Sequence, residues 1–141
     1  MKAEIYRAIC LEKLGHASEA EAAMRKLSEQ PEGRADVDLQ VAFAELLNET
    51  GRAEEALKKV DGAIAVDPKA PRAYFWRAKV LLQLRRPDDA ASAAEEAVRL
   101  LPQFPEAHNL LLRIYQMKGR SKEAAEQAEW LRNYHRQKDS H

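Results

Sequence analysis

The side chains best suited to metal or nucleophilic chemistry in this sequence are four histidines and one cysteine. A metal site needs several ligands brought together at a fixed spacing, such as two histidines one helical turn apart. His16 falls in a turn, His108 near the start of a helical stretch, and His135 and His141 near the tail, so no such pair exists. Cys10 shares its column with Leu46, Val80 and Ile114 when the chain is aligned on itself, which predicts a buried thiol acting as a small hydrophobe. One thiol can neither close an internal disulfide nor hold a structural zinc alone. Asp88-Asp89 and Glu95-Glu96 read as helix-surface charges, the former well placed near a helix start. There is no glycine-rich phosphate loop and no nucleophile elbow. The expectation is a non-catalytic protein with no cofactor.

The elements that carry these residues follow from composition. Ala, Glu, Lys, Leu and Arg supply more than half of the 141 residues, a bias that signals long helices. Val, Ile and Thr number 11 together, too few to furnish a sheet of ordinary strands. Apolar content of 45% is enough for a core. Acidic and basic residues balance at 23 each, leaving no global basic footprint for nucleic acid or an anionic membrane. Charges at Lys2, Glu4, Arg7, Glu12 and Lys13 leave no room for a signal peptide, and no apolar run reaches a membrane span of about 18 residues. A cytoplasmic setting is slightly favoured on that ground. Met1 opens almost directly into a helical pattern, which suits a piece of a longer protein equally well.

Internal repetition organises the rest. Ala56, Ala90 and Ala124 stand 34 residues apart, as do Pro68 and Pro102. Gly51 and Gly119 stand at twice that spacing. Ala20 to Ala56 and Gly15 to Gly51 are offset by 36, the two extra residues falling in the turn-forming run Pro31-Glu32-Gly33-Arg34. Four units result, 1–36, 37–70, 71–104 and 105–138, with a tail of 139–141. Each unit holds two helices, the first stopped by a glycine cap and the second by a proline. Unit 3 departs from this: Arg85-Arg86-Pro87 stands at the glycine site, so Arg85 either takes a positive φ or the turn differs.

With Ala8, Ala44 and Ala78 on first helices, and Ala20, Ala56, Ala90 and Ala124 on second helices, the pattern resembles the tetratricopeptide repeat. Leu11, Leu47, Leu81 and Tyr115 match its large apolar column, and Pro68 and Pro102 end units as that family does. The resemblance spans essentially the whole chain, weakest in unit 1, where Glu4 and Arg7 replace apolar side chains. It implies an all-α, right-handed solenoid of four helix–turn–helix repeats, eight helices in all. It also implies that one arc of each first helix lines a concave groove.

Helical arithmetic places Tyr6, Arg72, Phe75, Trp76, Lys79, Asn109 and Arg113 on that arc. These are the candidate peptide-binding residues. Phe75 and Trp76 have two open readings, binding anchors on the groove or filling of the seam between units. Charge along the arc runs from Asp38, Glu45 and Glu49 to Arg72, Lys79 and Arg113, able to orient a peptide or simply to solvate a helix face. The carboxylate clamp of co-chaperone members is absent: its places hold Ile5, Ile9, Ala42, Arg72 and Trp76, and only Arg72 fits. The expected function is a scaffold holding a peptide or protein segment of unknown identity in the groove. The alternative is a homo-oligomerisation or domain-linking module, a weak homodimer formed through Trp130 and Tyr134, which make an aromatic stripe on the last helix.

Overall fold

Helix boundaries fall where local backbone chemistry puts them. The computed structural model describes residues 1–140, and His141 of the expected tail lies outside the described residues. In chain order the helices are α1 (Lys2–Lys13), α2 (Ala17–Ser28), α3 (Pro31–Arg34), α4 (Val37–Glu49), α5 (Ala53–Val66), α6 (Pro71–Gln83), α7 (Pro87–Leu100), α8 (Pro105–Met117) and α9 (Ser121–Asp139). Pro31, Pro71, Pro87 and Pro105 each occupy the first helical position, where a missing N–H leaves nothing unpaired. Asp36 caps α4, its carboxylate accepting from the Leu39 amide at 2.9 Å. No helix among the described residues is long and apolar enough to cross a membrane.

The long helices pair as α1–α2, α4–α5, α6–α7 and α8–α9, and each of α4, α6 and α8 also packs on the second helix of the preceding pair. The result is an all-α solenoid of helical repeats. We retain the division at residues 36, 70 and 104 as a proposal built on this pairing. Alanine makes the close approach between helices workable: Ala8, Ala44, Ala78, Ala20, Ala56, Ala90, Ala63 and Ala97 are all fully buried. Phe43, Met24, Leu39, Leu47, Leu81 and Leu111 fill the space between them.

Two local features differ from the sequence reading. The 31–34 insertion folds as a one-turn helix, α3, in addition to the eight long helices. Buried Gln40 seats it, its side-chain amide donating to the Gly33 carbonyl at 2.9 Å. A Cβ at Gly33 would lie 1.9 Å from the Leu27 carbonyl oxygen, so only glycine permits this approach. Cys10 is exposed rather than buried. Its counterparts Leu46, Val80 and Ile114 are buried on helices that pack against a preceding second helix, whereas α1 is the first of the described helices.

Polar contacts tie unit 1 to unit 2 on the other side. Arg52 donates to Glu21 at 2.6 Å, while Arg25 bridges Glu55 at 2.6 Å and Glu21 at 3.1 Å. Hydrogen bonds from Arg52 lead the effects that hold the Glu21 carboxyl down at about 2, and Arg25 likewise lowers Glu55. Because Glu21 titrates at 4.5 when unperturbed, the stabilisation it gives is complete above that pH and is lost as pH falls toward 2. The thermal midpoint is expected to drop across that window. Glu21→Gln should flatten the drop measurably in parallel melts.

The turn at Arg85 resolves the open alternative: its φ is 61°, beside 83°, 81° and 71° at Gly15, Gly51 and Gly119. The closing bond is also shared, Arg86 N–H to the Leu81 carbonyl matching Arg52 N–H to Leu47, both at 2.8 Å. Arg85 thus adopts the left-handed conformation at a cost glycine avoids, and Arg85→Gly is expected to stabilise by about 1 kcal/mol in denaturant titration. Gly62, by contrast, lies inside α5, exposed, with nothing within 4 Å of an added Cβ. Gly62→Ala should add about 0.4–1 kcal/mol in the same assay.

Candidate functional site

The first helices bring their inner arcs side by side. Between α1, α4 and the start of α6 they enclose a groove of about 740 Å³. Its floor is apolar, from Ile5, Ile9, Val41, Ala42 and Ala73, and Tyr6 stands in it 70% exposed. Charged side chains ring the floor: Lys2, Lys13, Lys69 and Arg72 against Asp36, Asp38, Glu45 and Asp67. Lys2 donates to Asp36 at 2.8 Å, and this hydrogen bond raises the ammonium above its usual range.

Of the seven candidate groove residues, Tyr6 and Arg72 line this cavity and the other five do not. Phe75 and Trp76 are buried, at 9% and 6% exposure. Phe75 packs on Phe104 from the loop before α8, with ring centroids 5.1 Å apart, and meets Trp76 edge-on at 5.7 Å. Both rings are therefore buried in packing rather than open to the groove. Lys79 covers them, its ammonium 4.6 Å from the Trp76 ring and 5.6 Å from that of Phe75. Asn109 and Arg113 lie exposed farther along the stack.

Several lining residues come from the connections that end second helices, among them Asp67, Lys69 and Leu101. Periodicity points only to helix faces, so these had no signal beyond their nearness to Pro68 and Pro102. At the edge of the groove Glu12, Glu45 and Glu49 converge. Burial first, then the Glu45 charge, pushes the Glu12 and Glu49 carboxyls up.

At the far end, Trp130 is half-buried and stacks on His108 at 3.5 Å, and Tyr134 stacks on Trp130 at 5.2 Å. The His108 ring is fixed in turn, Nε2 donating to the Pro102 carbonyl at 2.9 Å and Nδ1 meeting the Gln127 side chain at 2.7 Å. The two candidate self-association residues are thus brought together, Trp130 folded back onto His108 of α8 and Tyr134 stacked on Trp130. His16 and His135 are exposed and apart. The paired acids hold surface contacts: Asp88 with Lys118, Asp89 with Arg86, Glu96 with Arg99, and Glu95 accepting from the Tyr115 hydroxyl at 2.8 Å.

Comparison with known proteins places this architecture. A family model described as tetratricopeptide repeat matches residues 41–103 and 77–134, together more than half of the chain. Tetratricopeptide repeat protein 33 of Xenopus laevis is 43% identical over 66 residues, which are 47% of this chain and 26% of that protein. The chain thus matches about a quarter of that relative's length. MamA from Desulfovibrio magneticus superposes with a TM-score of 0.87 at 20% identity, covering 98% of this chain and 77% of the other. The first TPR of Spaghetti (RPAP3), bound to the HSP90 peptide SRMEEVD, superposes at 0.77 with 20% identity, covering 83% of this chain and 91% of the other. By the family model and the repeat geometry together, this chain belongs to the tetratricopeptide repeat family.

Proposed function

We propose that the chain is a non-catalytic scaffold that holds an extended segment of a protein partner in the groove between α1, α4 and α6. The observation that carries this reading is Tyr6, an aromatic ring left 70% exposed within an otherwise apolar, concave floor. A ring so placed offers a large contact area for little loss of side-chain freedom, the property of binding anchors. The surrounding charges, opposite in sign on facing helices, give an extended backbone its direction more than its affinity. The groove walls are helix-borne and held by the buried alanine columns, so little ordering cost falls on binding. Spaghetti's TPR, with its HSP90 peptide, supports peptide binding by a fold of this shape. The carboxylate clamp is not carried over, because Ile5, Ile9 and Ala42 hold its places.

Peptides selected from a random displayed library against the purified chain test the reading. Tyr6→Ala should weaken the selected peptides by about 2 kcal/mol, roughly 30-fold, with far-UV circular dichroism and melting unchanged. Trp76→Ala should instead destabilise the fold by about 3–5 kcal/mol, as loss of a buried ring does. Peptides that bind Tyr6→Ala as tightly as wild type would remove the groove from consideration.

A further inference from the structure

We infer, resting on the groove reading above, that the extended segment seated there carries a basic and an acidic residue, in that order, between two apolar side chains. The order follows from which element supplies each wall. Tyr6 comes from α1, Asp38 from the first turn of α4, Lys69 and Arg72 from the connection into α6 and its first turn, and Leu101 from the connection into α8. All five line the one cavity. A chain lying across the first helices therefore meets an exposed ring, then an anion, then two cations, then a leucine 41% exposed.

The other charges of the rim are already engaged within the fold. Lys2 donates to Asp36 at 2.8 Å, and Lys13 pairs with Glu45 at 3.7 Å. Asp67 is turned to its own connection, where its carboxylate accepts from the Lys69 amide at 3.0 Å. Asp38 acts on Lys2 only as a distant charge, well behind Asp36. Among the described residues, the Asp38 carboxylate, the Lys69 ammonium and the Arg72 guanidinium enter no ion pair, and all three are exposed. Asp38 and Arg72 hold the same repeat position on neighbouring first helices, yet no ion pair joins them across the groove. What remains open to a partner is thus one negative wall on α4 and one positive wall at α6.

Spacing sets how far apart the partner's charges must be. Helices packed side by side lie about 8–10 Å apart. An extended chain advances about 3.3 Å per residue, so the basic and acidic residues should stand about three positions apart. Exposed ion pairs of this kind add little affinity, but reversing them sets like charges together, which is how a groove rejects the wrong segment. Tyr6 and Leu101 hold the chain, and the charges select it.

Selection from a random displayed library provides the test, run against wild type, Asp38→Lys and a Lys69→Glu/Arg72→Glu double variant, with folding checked by circular dichroism. Wild type should enrich peptides with the apolar–basic–acidic–apolar order. The double variant should turn the acidic position basic, and Asp38→Lys should turn the basic position acidic, both keeping the apolar ends. On wild type alone, a synthetic selected peptide with its two charges exchanged should bind about tenfold more weakly, and the gap should shrink as salt is added. Peptides that depend on Tyr6 but show no charge order, or keep the same order on the double variant, would overturn this inference and leave the groove reading standing. A library that yields no Tyr6-dependent binder would remove both.

Discussion

Helix separation in this solenoid is set by alanine. A first helix must press against its own second helix and against the second helix of the preceding pair, and it can do both only with small side chains on the two contact lines. Ala44 and Ala78 on first helices, with Ala56 and Ala90 on second helices, are fully buried and meet that requirement. Larger residues such as Phe43, Leu47 and Leu81 then fill the gaps that the close approach leaves. No pair could bury its stripe alone, so the stack and the core are one object. The spacing of the inner arcs, and therefore the width of the groove, is inherited from these alanines rather than from anything that lines it.

This explains which parts of the molecule the sequence could disclose. Turn chemistry is local: Gly15, Gly51 and Gly119 mark left-handed caps by their own lack of a Cβ, and Pro71 and Pro105 open helices by their own fixed φ. The 34-residue spacing of alanines and prolines then supplies the pairing and the family. Exposure on the inner arc is not local. Phe75 is covered by Phe104, 29 residues later, and meets the buried Trp76 ring edge-on. Tyr6, in the same repeat position as Trp76, remains open in a cavity whose far wall includes connection residues such as Lys69 and Leu101. A helical wheel assigns Tyr6 and Trp76 one role, and only the neighbours separate them.

Cys10 illustrates the same limit from the other direction. Its column is apolar in every later unit, where a second helix packs in front of α4, α6 and α8, whereas α1 is the first of the described helices. The exposed outer face of α1, with Glu4 and Arg7, follows the same rule. The 31–34 insertion also reads as a turn by composition, but Gln40 and the bare Cα of Gly33 convert it to α3.

The distribution of unmet polar groups finally sets the two faces of the stack apart. Across the outer side of units 1 and 2, Arg25 and Arg52 each find carboxylates within hydrogen-bond reach, closing the joint between α2 and α5. Among the described residues, the buried side-chain atoms without a hydrogen-bond partner are Glu12 Oε2, Asn48 Oδ1 and Trp76 Nε1, and all three belong to first helices. Second helices pack as pairs of charged, self-satisfying surfaces, whereas the first helices carry acceptors and a donor with nothing to meet. Burying a polar atom without a partner costs free energy that packing must offset, and a fold under no other demand would replace it with an apolar side chain. The extended segment proposed for the groove would cover the apolar floor that the first helices leave open.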